Sequence, residues 1–285
     1  MGVFYGAKQA TNPLLGTTQS NAAPSARAIK LNNPSATDGV YWIDLPVVGP
    51  TQIFCLMNNS WDGGGWMMIM KATTDTTWQY SSNHWGSVNT LNPTDLTRNN
   101  ANAKYNTMNY FLAKDMLAVF PDVTTGSGGS IPGLGVWTWL QNNFYPDRKI
   151  TPIEFFGPVG SETRNFVNQA GGSGYFIQDA KTFSGWASGT WSSQTDIRFY
   201  GFNYICNPAF GLVAKARWGF GWNENGDGLF PGNPNVSFLG SNDVAGGIGL
   251  DPAFGGISYA AGDRINCCQD TTGLNRAMRA EMYVR

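Results

Sequence analysis

Charge is what this sequence has least of. Its 18 basic and 19 acidic residues make up 13% of 285 positions and leave a formal charge of −1. No basic field exists with which to displace counterions from phosphates, which excludes nucleic acid as the expected partner. Histidine is rarer still: His84, in SSNHWGS, is the single imidazole. No GxSxG or cysteine motif accompanies it, so a nucleophile–base triad has nothing to be built from, and His84 reads as a surface or packing residue. No run of about 18 apolar residues occurs, so no membrane insertion is expected. The opening MGVFYGAKQATNPLLGTTQSNAAPS has neither a basic n-region nor a sustained apolar h-region, and no secretion signal is expected. Gly2 is not read as a myristoylation site, because Gly6 stands where Ser or Thr is required.

Cysteine is also sparse. Cys55, Cys206, Cys267 and Cys268 are too few for a disulfide framework in a chain of this length, and no CxxC or Cys/His spacing suggests zinc. A bridge between the neighbours Cys267 and Cys268 would be strained. Separated partners, with Cys206 and Cys268 as the candidate pair, and free thiols both stay open.

What is abundant is apolar and small-polar surface. Hydrophobic residues at 42% suffice for a real core. A surface so poor in charge must stay wet through Asn, Ser, Thr and Gly, with Trp and Tyr among them, a make-up similar to that of extracellular β-rich, sugar-binding and virion proteins.

Residues 1–37 show no sustained period of 2 or 3.6 and are expected to form an extended N-terminal arm anchored on a neighbouring subunit or another protein. Residues 38–285 carry no repeat or linker and are expected to form one domain. DGVYWIDLP, TQIFCLM and WMMIMKA read as its first strands, and DIRFYGFNYI and LVAKARWGFGW as later ones. In DGGGWMMIM, Gly63 to Gly65 let the chain turn tightly beside Trp66, and Met67 to Met70 continue as a strand buried on both faces. Asn106 to Phe120 is expected as a helix ending before Pro121, and VWTWLQNNF as a second, short one. Gly-rich segments such as TTGSGGSIPG and NQAGGSGY read as flexible loops, since neither has the Lys-Ser/Thr of a P-loop or the strand–GxGxxG–helix context of a dinucleotide site.

The order DGVYWI, PTQIFCLMN, DGGGWMMIM resembles the start of a fibrinogen-related domain, in which a short strand, a strand with a Cys and a glycine-rich turn before Trp follow one another. The later segments NYFLAKDMLAVF, DIRFYGFNYICNPAFGLVAKARWGFGWNENGDGLFP and LNRAMRAEMYVR resemble the intelectin branch of that group, so that the resemblance touches most of residues 38–285. It implies an α+β fold: a fibrinogen/intelectin-like domain with mixed twisted β-sheets, few short helices and long Gly-rich loops.

Intelectins are calcium-dependent lectins, in which the ion takes two hydroxyls of an exocyclic sugar diol between aromatic walls. Calcium requires about six to eight oxygen ligands. WNENGDG offers Asn223, Glu224, Asn225 and Asp227, and FLGSNDVAGG offers Asn242 and Asp243. Trp85, Trp218, Trp222 and Phe230 are the candidate carbohydrate-contacting aromatics. The NENGDG loop departs from the branch pattern by lacking its flanking cysteines and its sugar-site His, and the same residues are also those of an ordinary polar turn. Glu224 and Asp227 form the one close acidic pair near aromatics, yet nothing separates them into acid and base, so no catalytic residue is assigned.

These readings lead to an expected non-enzymatic virion protein, a bacteriophage capsid decoration or tail-fibre component. It would contact other virion proteins through residues 1–37, self-associate as a homo-oligomer and adhere to host-surface glycan. The alternative is a free, calcium-dependent lectin of a cell.

Overall fold

The computed structural model describes residues 12–122, 137–144, 148–157, 200–205, 215–222, 244–251, 259–264 and 276–285. The first apolar runs form β1 (Gly39–Leu45), β2 (Gly49–Leu56) and β3 (Trp66–Ala72), paired as successive antiparallel neighbours. Every residue of β3 is buried, as its unbroken apolar run requires. The turn into it places Gly63, Gly64 and Gly65 at φ of 82°, 72° and 82°. A Cβ on Gly64 would lie 2.3 Å from the Met57 carbonyl oxygen, and one on Gly65 2.8 Å from the Arg27 Cα. All three glycines before Trp66 take left-handed backbone, and at Gly64 and Gly65 the backbone is also tightly approached.

The remaining strands are β4 (Ala103–Lys104), β5 (Met116–Phe120), β6 (Trp137–Gln141), β7 (Tyr200–Ile205), β8 (Lys215–Trp222), β9 (Val244–Asp251), β10 (Ala261–Arg264), β11 (Arg276–Ala277) and β12 (Ala280–Val284). One sheet runs in the order β1-β2-β3-β12-β5-β6, with β4 also on β3, and the other in the order β11-β10-β9-β8-β7. The C-terminal strand β12 is thus inserted at the centre of the first sheet, wholly buried between β3 and β5. All ladders between the described strands are antiparallel, rather than mixed as expected. The described residues add three short α-helices, α1 (Ala26–Asn32), α2 (Asn106–Tyr110) and α3 (Pro152–Phe156), and are β-rich. A single buried cluster joins the sheets, containing Met70 and Met282 of the first with Phe202, Trp218 and Ile248 of the second. Trp139 of β6 meets Trp218 of β8 edge-on at 5.8 Å between ring centroids.

Two expectations are corrected. The helix expected over Asn106–Phe120 stops at Tyr110, and MLAVF becomes β5, with all five residues buried. A strand covered on both faces shows a continuous apolar run, which periodicity alone does not distinguish from a buried helix. Likewise, the short helix expected around VWTWLQNNF is β6, paired along its length with β5.

Nor do residues 12–37 extend away as an arm. Ser25 caps α1 by accepting the Ala28 N–H at 3.1 Å, and α1 buries Ala26 and Ile29 in a cluster with Ile43, Ile53, Cys55 and Met67. Beside it, the Trp42 N–H donates to the Gly16 carbonyl at 2.8 Å, the Ala23 N–H to Trp42 at 2.9 Å and the Asp44 N–H to Ala23 at 2.8 Å. The segment covers the outer edge of β1, which would otherwise present unpaired backbone groups to solvent. Its two buried anchors, three residues apart, make less than one repeat of a helical pattern. Residues 1–11 lie outside the described residues.

Candidate functional site

The candidate site is the connection between β8 and β9, which leaves and rejoins the second sheet at the Trp222–Val244 pair, and the β7–β8–β9 ladder carries a buried charge of its own. Burial there is extreme for a polar residue: Arg217, in the middle of β8, is only 1% exposed. Its Nε donates to the Tyr80 carbonyl at 2.8 Å, and its Nη1 to the Phe156 carbonyl at 2.9 Å and to Asn203 Oδ1 at 3.1 Å. The guanidinium lies 4.3 Å from the Tyr80 ring centroid, a cation–π contact. Among the described residues no carboxylate pairs with it, and Nη2 has no partner. Burial lowers its pKa, with Tyr80 opposing. On the neighbouring strand Gly249 has φ of 66°, and a Cβ there would fall 2.5 Å from Arg217 Cγ and 2.8 Å from Trp85 Cζ2. One buried cation therefore ties β7, β8, α3 and the 79–85 loop together.

The register of the β8–β9 ladder locates the ends of the connection. Lys215 pairs with Asp251 at one end of the β8–β9 ladder and Trp222 with Val244 at the other. Asn223, Glu224, Asn225, Asp227, Phe230, Asn242 and Asp243 lie outside the described residues, in the single connection between those last two partners. The chain leaves β8 and re-enters β9 across one antiparallel pair, where opposing Cα atoms are about 4.5–5.5 Å apart. Asn223 and Asp243, 20 positions apart in sequence, each follow or precede that pair directly.

Two of the aromatics singled out from the sequence belong elsewhere. Trp85 and Trp218 are both 0% exposed. Trp85 packs edge-on against Trp78 at 4.9 Å and tilted against Phe156 at 4.8 Å, while Trp218 stacks on Phe202 at 4.9 Å. Neither offers an open face to a sugar ring, a correction that follows from aromatics using one apolar surface for both cores and ligands. Trp222 closes β8 at the described end of the connection.

His84 is half-buried beside Trp78, with ring centroids 5.4 Å apart. Its carbonyl, together with that of Ser87, accepts from the fully buried Lys104 ammonium. Burial pulls Lys104 down to about 8; burial and then Lys104 lower His84. Cys55 is buried and free, its thiol pushed well above the usual range by burial and then Asp38, which removes it from thiolate chemistry. Cys206 and Cys268 lie outside the described residues. Among the described residues no group of three or more His, Cys, Asp or Glu is disposed to hold a metal.

Sequence reasoning passed over Arg217, although a charged residue inside the alternating aromatic strand KARWGFGW is a visible anomaly. Comparison with protein-family models finds no match to this chain, and no curated protein matches it either.

Proposed function

We propose that this chain is a non-enzymatic recognition protein, a fibrinogen/intelectin-like domain that holds calcium in the β8–β9 connection and binds a host-surface glycan there. The observation that carries this reading is the Trp222–Val244 pairing. It returns the chain to its starting point, so that the connection carrying both oxygen-rich stretches begins and ends at one spot of the sheet. Their donor set of three carboxylates, Glu224, Asp227 and Asp243, and three carboxamides, Asn223, Asn225 and Asn242, suits a hard cation with oxygen ligands. In the family it resembles, such an ion takes two sugar hydroxyls. With Trp85 and Trp218 in the core, Trp222 and Phe230 are the aromatics left to wall the sugar.

The proposed setting is a virion surface, as a capsid decoration or tail-fibre component. A free lectin is the second reading, and it is favoured by the packing of residues 12–37 on their own domain, which removes them as a long anchor. A glycan array probed with the full chain in calcium and again with EDTA tests recognition. Calcium-dependent spots are expected, and an empty array in both conditions would overturn it. Mass spectrometry of purified particles decides between the two settings.

A further inference from the structure

The DGGGW turn, α1 and the end of β12 meet at a second feature, remote in sequence from the β8–β9 connection. Arg285 is at its floor. Its guanidinium lies 4.0 Å from the Trp66 ring centroid, and it pairs with Asp62 Oδ2 at 2.6 Å through Nη2 and with Asp115 Oδ2 at 2.9 Å through Nε. The other Asp115 oxygen accepts the Asn143 N–H at 3.1 Å. The carbonyl oxygen of Arg285 accepts the N–H groups of Lys114 and Asp115. Above this floor opens a cleft of about 480 Å³, within the range of small-ligand sites.

Every carboxylate oxygen in its lining is thus committed, whereas several donors are not. Arg27 of α1 and Lys149 stand exposed on the rim, with Asn142 and Asn143 on the turn after β6. Among the described residues no hydrogen bond or ion pair engages the Arg27 guanidinium, the Lys149 ammonium or either carboxamide. Asn143 sits at φ of 49°, a left-handed conformation that Asn tolerates, and this turn brings the two amides to the cleft side by side. In a chain with 13% charged residues, Arg27 and Lys149 on one cleft whose lining carboxylate, Asp115, is paired with Arg285 form a distinct electropositive spot.

We propose that this cleft is an anion subsite, in which a carboxylate, phosphate or sulfate group is held by the Arg27 fork and the Lys149 ammonium with the Asn142 and Asn143 carboxamides as further donors. A guanidinium matches such oxyanions in bidentate geometry, and both cations are exposed enough for binding to weaken steeply with salt. The inference does not depend on calcium in the β8–β9 connection.

The test titrates the full, isotope-labelled chain with inorganic phosphate and, separately, with an oligogalacturonate, while the amide signals of Arg27, Asn142 and Asn143 are followed. Both anions should shift those signals, and the double variant Arg27→Gln/Lys149→Gln should bind about tenfold more weakly or worse. The exposed positions predict an unchanged melting temperature for that variant, and each single variant serves as a second check. Tighter binding of the oligomer identifies a polymer-borne acid as the ligand, and equal binding a free anion. No shift with either anion, or the same shift in the double variant, would overturn the proposal. A calcium titration of the same samples is expected to be unaffected by the substitutions.

Discussion

Substituting Gly64 by Ala tests the turn that opens β3 with an internal control on either side. At φ of 72° an L-residue costs roughly 1–2 kcal/mol. Its Cβ would also stand 2.3 Å from the Met57 oxygen and 2.7 Å from the Met57 carbon. Those are backbone atoms that no rotamer change can move, so the turn must shift at an overpacking cost of about 1–3 kcal/mol. The sum, about 2–5 kcal/mol, is a large share of a typical domain's stability. Gly63→Ala faces a similar φ of 82° but nothing within 4 Å, so it should lose only the first component. Gly65→Ala, whose Cβ would fall 2.8 Å from Arg27 Cα, should resemble Gly64→Ala. Urea denaturation read by tryptophan fluorescence gives the three values. Equal stability for Gly63→Ala and Gly64→Ala would refute the argument that close backbone approach, rather than left-handed φ alone, requires the glycine.

Lys104 makes stability depend on pH. Its folded pKa of about 8 lies below its ordinary 10.5. The unfolded state therefore binds more protons between those values, and unfolding free energy rises with pH through that window, by up to about 3 kcal/mol. Cys55 and Tyr105, both raised by burial, act in the opposite direction, so the quantity to measure is the wild type minus Lys104→Met. A flat difference from pH 7 to 11 would contradict the burial argument. Arg217→Met removes an unbalanced buried charge but leaves the carbonyls of Tyr80 and Phe156 and the Asn203 oxygen without their donor. At about 1–3 kcal/mol for each orphaned acceptor, a net loss of at least about 2 kcal/mol is expected in the same urea assay, and a gain in stability would show that the charge, not the bonds, dominates.

Strands β1, β2, β3, β7 and β8 were legible because local alternation or unbroken apolar runs bounded by turn residues mark them. β5 was not, since Met116 to Phe120 is apolar without period and the preceding Asn106 to Tyr110 is genuinely helical. The packing of residues 12–37 escaped notice for a similar reason: Ala26 and Ile29 gain meaning only against Ile43 and Met67. Burial of Trp85 and Trp218 is tertiary information, invisible in composition. The cleft beside Arg285 depends on partners such as Asp62, 223 positions away, and Asp115, 170 away, a separation at which no local pattern survives. The acidic stretches 223–227 and 242–243 were visible as residue types, and the β8–β9 register adds that the connection carrying them begins and ends at one pair.

This connection is the proposed calcium site. Calorimetric titration of calcium into the full chain and into the Asp227→Asn/Asp243→Asn variant tests it most directly. Saturable binding by the wild type is expected, and its loss in a variant with an unchanged melting temperature in EDTA. Absence of binding by the wild type, or equal binding by both, would contradict it.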